Sequence, residues 1–479
     1  MQSAGKFVAQ VRSRMTAVAE VYRRVVFQEQ SSELADSLGE VEAPDTPEHS
    51  YSQIMQRLEI DSPQWLKRVA QPDISQHARR NLSRFLSSAA TSSERYTLLQ
   101  RSAQAVERAL QVFECSEYLT DSLVRHPPDI DLLRDYATAE SDSVASELRE
   151  STINLERAQS ALRQQFRRKL FRTTVSELFT RCDIWQLLAE YSDAADQALR
   201  DSLEVVGSPA GFAVMALGRL GSREFDILSD ADVLFVGDES ANQDECRRAA
   251  ERVMALLTAY TRDGTAFPID TRLRPQGTQG DLVTACRRLT QYFSREARPW
   301  EAISYLRLRF VAGSRETAER VVQAVREGIG EVARRSSFAT DLAEMRRRLD
   351  ESDGDTNFKT GPGGTYDIDF LAGRLQAEHS VWTAANLASR IAALQDSGLI
   401  PPEQARELSD NAAFLRSLEH YGRLVTGRAG KWLPAGDHAV SCVAKLMIGA
   451  IDNVSAPSLR GKLMAVLSRN REIYLECPF

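Results

Sequence analysis

Two aspartates, Asp230 and Asp232, stand one residue apart at the head of the apolar run "DVLFV" (232–236). Alternate residues of an extended chain share a face. Two carboxylates held that close repel unless one is protonated or a cation bridges them. Hard divalent cations such as Mg²⁺ or Mn²⁺ take carboxylate oxygens and bind phosphates as well. A third carboxylate, Asp270, lies in "AFPIDTRLRP" (266–275), where Phe267, Ile269, Thr271 and Leu273 alternate with Asp270, Arg272 and Arg274. If the two stretches are neighbouring strands, Asp230, Asp232 and Asp270 converge. Metal ions held there would lower the pKa of an attacking hydroxyl, orient a triphosphate and neutralise a departing pyrophosphate. Gly218, Gly221 and Ser222 follow another short apolar run, "FAVMAL" (212–217). Glycines in such a turn let backbone N–H groups approach phosphate oxygens. Arg272 and Arg274 are placed to pair with a nucleotide's negative charge. An Asp-X-Asp pair alone is more often a turn or a cap; the ordered set is more specific.

These residues need a scaffold. The short β-rich runs, the helical pattern "CRRAAERVMALLTAYTRDG" (246–264) between them and the alternation at 266–275 predict a small α/β core over 201–315. From 51 to 200 apolar residues recur at helical spacing, as in Leu162, Phe166 and Leu170, with Arg163, Arg167, Arg168 and Lys169 expected to face solvent. After the core, 316–479 reads as a helical bundle broken by "DESDGDTNFKTGPGG" (350–364). Residues 1–30 read as one amphipathic helix. The stretch 31–50 carries six acidic residues, no Lys or Arg and two prolines, which favours a linker. The expected fold class is therefore α+β: mostly helical, with N-terminal helices and a C-terminal bundle flanking the core.

The four stretches "ALGRLGSREFDILSDADVLFV", "IDTRLRPQGTQGDLV", "PWEAISYLRLRFVAG" and "FKTGPGGTYDIDF" occur in that order. The first two resemble the DNA polymerase β-type nucleotidyltransferase superfamily. All four together resemble the glutamine-synthetase adenylyltransferase/deadenylylase family, over about residue 75 to the C-terminus. The resemblance places the family's metal carboxylates on Asp230, Asp232 and Asp270. Its phosphate-handling turn falls on Gly218 to Ser222, its Arg-Leu-Arg-Pro element on Arg272 to Pro275 and its Trp-Glu element on Trp300 and Glu301. Its later Lys and Gly-Gly segment falls on Lys359, Gly363 and Gly364, just before Asp367 and Asp369. It implies Mg²⁺ or Mn²⁺, ATP as substrate, glutamine synthetase as protein substrate and a PII-type signalling protein as a further candidate partner. Known members carry two such halves in tandem, one attaching AMP to a tyrosine and one removing it by phosphorolysis; the resemblance here is to a single half. Both directions stay open, as does a non-catalytic scaffold with a vestigial site. Ala216 and Thr365-Tyr366 depart from the family pattern.

Composition narrows the class. The 479 residues carry a formal net charge of −7, which argues against a dedicated nucleic-acid binder. No apolar stretch reaches the roughly 18 to 20 residues that span a bilayer, and the N-terminus lacks an apolar signal core. A cytoplasmic enzyme is expected. Six scattered cysteines form no close pair that would indicate zinc or a disulfide framework. The absence of a His-Asp dipeptide counts against a uridylyltransferase with an attached hydrolase domain.

Overall fold

Amphipathic helices lead up to the core: α1 (Gln76–Ala89), α2 (Ala103–Cys115), α3 (Glu117–Arg125), α4 (Leu155–Thr180) and α5 (Ile184–Val206). The computed structural model describes residues 74–89, 103–134, 155–180, 182–261, 264–353, 357–447 and 456–477. The helix expected over 1–30 and the linker over 31–50 lie outside the described residues. Leu162, Phe166 and Leu170 are buried on α4, as their spacing predicts. Arg163 is not at the surface: it is 1% exposed, and its guanidinium donates to the carbonyls of Leu256 and Ala259. The expected solvent-facing residue instead caps the end of another helix. Arg167 pairs with Asp129. Asp183 starts α5 by accepting the Trp185 and Gln186 amides, and the helix continues past the expected boundary at 200.

The sheet has five strands in the order β3-β2-β1-β5, with β4 also on β2. At its centre β1 (Phe212–Ala216) and β2 (Ala231–Gly237) run antiparallel, Phe212 facing Gly237 and Ala216 facing Val233. Every residue of β1 is buried. β5 (Arg309–Gly313) pairs antiparallel with β1. The far edge of β2 takes two short parallel partners in succession, β3 (Ile269–Asp270) and β4 (Val283–Ala285). A parallel pair needs a crossover, and α7 (Gln243–Thr258) supplies it. A single helical turn, α6 (Gly218–Gly221), precedes α7 and leads out of β1.

The rest is helical: α8 (Cys286–Arg295), α9 (Pro299–Ser304), α10 (Arg315–Ala333), α11 (Phe338–Asp353), α12 (Thr365–His379), α13 (Leu387–Asp396), α14 (Pro402–Thr426), α15 (Asp437–Met447) and α16 (Ala456–Glu476). The protein is thus mostly helical α+β. No described helix is long and apolar enough to cross a membrane. The long α14 begins with Pro402 in its first turn and ends at Gly427 in the left-handed conformation. It packs against α3, α5, α12, α13, α15 and α16 and bonds the loop before β2 through His420 and Arg423, so it joins N-terminal helices, core and bundle.

Candidate nucleotidyltransferase site

The pairing of β2 with β3 puts Asp232 directly opposite Asp270. Asp230 lies one residue before β2, exposed at its mouth. The carboxyl of Asp232 is pushed up to about 6, first by burial and then by the charges of Asp230 and Asp270. The two neighbouring charges therefore act on Asp232, the pattern that a bound cation would relieve. Asp270 shifts the opposite way. Hydrogen bonds from Arg272 hold its carboxyl below the usual range.

Gly218 makes room for this arrangement. Its φ is +52°, and a Cβ there would sit 1.9 Å from Asp232 Oδ2. Only glycine accommodates both the left-handed backbone and that close approach. Gly221 makes room for a different neighbour: a Cβ would meet the Arg307 carbonyl oxygen at 2.1 Å. The buried Ser222 hydroxyl points back to the carbonyls of Gly218 and Arg219. The turn is thus fixed from within and from β5, where Arg309 donates to the Leu220 and Gly221 carbonyls and pairs with Asp196.

The Arg-Leu-Arg-Pro stretch is not the extended strand its alternation predicts. The ladder ends at Asp270, and a turn follows in which the Arg274 amide bonds the Thr271 carbonyl. Arg272 folds back onto Asp270. Arg274 bonds the Thr271, Thr278 and Gly280 carbonyls, which shapes the loop. Tyr305 fastens the same loop through its hydroxyl to the Leu273 carbonyl at 2.6 Å. Glu301 accepts the Arg298 amide and the Tyr292 hydroxyl, so it serves as a helix cap.

Lys359 is half-buried beside the core, and its ammonium is pulled down to about 8, first by the charge of Arg219 and then by burial. The two glycines after it are elsewhere engaged. A Cβ on Gly363 would fall 1.7 Å from the Leu467 carbonyl oxygen, and the Gly363 amide donates to Asp367. The Gly364 amide bonds the Gly361 carbonyl. At this helix start the chain's own Asp367 supplies the anion that the Gly363 amide meets. Arg346 and Arg471 grip Asp367 in turn. Gly363 therefore seats the start of α12 against α16, whereas Gly364 packs on the Phe358 and Lys359 carbonyls.

Sequence reasoning did not anticipate the charged network behind the site. Arg219 pairs with Glu419, Arg416 with Glu224 and Glu419, and Arg423 with Glu419 and Asp226. Arg307 and Arg390 share Asp369. His420 Nδ1 lies 2.6 Å from Asp226. Burial raises the Glu419 carboxyl, but Arg219, Arg423 and Arg416 outweigh it and hold the group far below its ordinary range. Asp369 likewise ends at about 2, with Arg307 and Arg390 outweighing burial. Arg219 and Arg307 also act on Asp232. The only sequence signal for the network is the density of charges in "FLRSLEHYGR" (414–423), an unusual composition for a helix that turns out to be buried.

The donor set fits a hard divalent ion: carboxylate oxygens, mutual repulsion at Asp232 and backbone clearance at Gly218. Among the described residues no three carboxylates stand as a ready cage, and Arg272 is paired with Asp270.

A family model for glutamate-ammonia ligase adenylyltransferase matches residues 106–324, which contain the whole sheet. A model for PII-uridylyltransferase matches 336–473, the C-terminal helices. Proteins described as bifunctional glutamine synthetase adenylyltransferase/adenylyl-removing enzymes are also similar. The one from Streptomyces avermitilis is 30% identical over 69% of this chain and 35% of its own length. The Streptomyces coelicolor protein is 30% identical over 74% and 38%, and the Aromatoleum aromaticum protein 29% identical over 68% and 38%. The chain belongs to the glutamine-synthetase adenylyltransferase family. It spans little more than a third of the length of these relatives.

Proposed function

We propose that this chain transfers AMP from ATP to a tyrosine of glutamine synthetase in a Mg²⁺- or Mn²⁺-dependent reaction. The observation that carries this reading is the direct pairing of Asp232 with Asp270, with Asp230 at the head of the same strand. The tyrosine oxygen attacks the α-phosphorus of ATP, the bond to the β-phosphate oxygen breaks, and pyrophosphate leaves. Asp230 and Asp232 would hold the metal, which supplies charge neutralisation at the phosphates. Asp270, once released by Arg272, would join them and favour loss of the tyrosyl proton. Arg272, Lys359 and Arg219 supply positive charge for the phosphates, and positioning with electrostatic stabilisation provides most of the acceleration. Incubation with ATP, Mg²⁺ and glutamine synthetase, followed by mass spectrometry, tests this. An AMP adduct that disappears in Asp232→Ala supports it; no adduct, or an equal one in the variant, sinks it.

The same site supports the reverse chemistry, in which phosphate attacks tyrosyl-AMP and ADP is released. The relatives' descriptions cover both activities, and the cations around Lys359 would seat phosphate as readily as pyrophosphate. Phosphate-dependent ADP formation from pre-adenylylated glutamine synthetase identifies that direction. A vestigial site would show no metal-dependent ATP binding by calorimetry.

A further inference from the structure

A cavity of about 630 Å³ opens between the N-terminal helices and the loop after α14. Neither the three carboxylates nor Lys359 line it, so it is distinct from the candidate site. One side carries paired charges. Arg80 and Arg84 on α1 are matched by Glu117 and Asp121 on α3. Arg423, itself paired with Glu419 and Asp226, and Arg428 complete this side. Arg428 is exposed and has no ion-pair partner among the described residues. Arg423 is 5% exposed, and its Nε is buried without a hydrogen-bond partner.

The other wall is apolar and aromatic, and Trp432 is its main feature. This indole is 49% exposed, a high value for so large an apolar group. The Lys431 ammonium lies 5.9 Å from the ring centroid. The loop after α14 contributes Gly427, Gly430 and Gly436 to the lining. The lining sets four arginines against Glu117, Asp121 and Glu419, so Arg428 is the cation left over, and a cation in one cavity with an exposed indole suits a phosphate attached to a flat ring.

We propose that this cavity is a second nucleotide site, independent of metal. Its floor leads directly to the first site. Arg423 donates to the Ile227 carbonyl at 2.7 Å and to the Ser229 hydroxyl at 2.8 Å, immediately before Asp230. Glu419, also in the floor, holds Arg219 beside Gly218. A phosphate drawing on Arg423 changes the hold on the loop that carries Asp230. The cavity is therefore regulatory, a role that rests on the proposed catalytic reading, whereas the binding itself does not.

The test is ADP titration of the full chain in EDTA, followed by calorimetry and by quenching of tryptophan fluorescence. Saturable binding is expected in the wild type and in Asp232→Ala, because no metal carboxylate takes part. Trp432→Ala and Arg428→Ala should each weaken it by at least about fivefold, the loss expected for one stacked base or one charged contact. Both side chains are exposed, and unchanged melting temperatures would show that the variants fold. No saturable binding in EDTA, or binding unchanged in both variants, overturns the proposal. Failure of the catalytic reading is seen separately, as loss of metal-dependent ATP binding.

Discussion

At the scale of single residues, Asp232 carries opposite demands. Its folded-state pKa of about 6 lies above the unfolded value. The fold therefore disfavours its ionised form, a penalty that is absent below pH 4, grows as pH rises through 6 and is complete above it. Asp232→Asn removes a cost of about 2–3 kcal/mol at pH 7.5. In EDTA this variant should melt a few degrees higher than wild type, with the difference vanishing near pH 4. Its transferase activity should fall by about 10²-fold or more. In the wild type, metal affinity measured without nucleotide should fall about tenfold per unit as pH drops below 6, because the proton competes with the metal for Asp232. Gly218→Ala tests the same carboxylate from the backbone side. The added methyl collides with Asp232 Oδ2, and a displacement of that size should cost about 10²-fold in kcat with little change in far-UV circular dichroism.

At the scale of elements, Arg163 shows what a buried cation does for a helix end. It donates to Leu256 and Ala259 at the end of α7, the crossover that aligns β3 with β2. Arg163→Met keeps the aliphatic bulk but orphans those carbonyls, so we expect a loss of about 1–3 kcal/mol by urea unfolding. Hydropathy patterning places such an arginine outside, because it registers charge but not the carbonyls that satisfy it. β1 and β2 were legible as short apolar runs, and all but Asp232 of their residues are buried. β3 was legible in its Asp270 but not in its length: alternation continues to Leu273, whereas the chain turns after Asp270 to form the Thr271–Arg274 bond. The role of Gly363 had no local signal at all. The carbonyl that forbids a side chain there belongs to Leu467, more than a hundred positions along the chain.

At the scale of the whole molecule, α14 binds core and bundle into one electrostatic unit. Asp226 and Glu224 come from the core loop, Asp369 from α12, and their partners Arg416, His420 and Arg423 from α14 or, for Asp369, Arg307 and Arg390. Burial pushes the Asp226 carboxyl up, but the charges of His420, Arg423 and Arg219 outweigh it. Asp226, Glu419 and Asp369 all titrate below their unfolded values. The stability they contribute is present above about pH 4 and is lost as pH falls below that. Because the carboxylates span the sheet and the C-terminal helices, acid should unfold both together. Near-UV and far-UV circular dichroism should share one transition below pH 4; separate transitions would show that the network does not couple the parts.

The clasp of Arg272 on Asp270 gives the molecule an internal counter-ion. On the proposed reading, a divalent ion arriving at the carboxylates would exchange with a guanidinium that is already there. The displaced group is then free for the next anion, the triphosphate. Metal and nucleotide should consequently bind with positive cooperativity, each raising the other's affinity by the same factor. Arg272→Ala should tighten metal binding in the absence of ATP, weaken ATP binding in the presence of metal, and bring that factor close to one in paired calorimetric titrations.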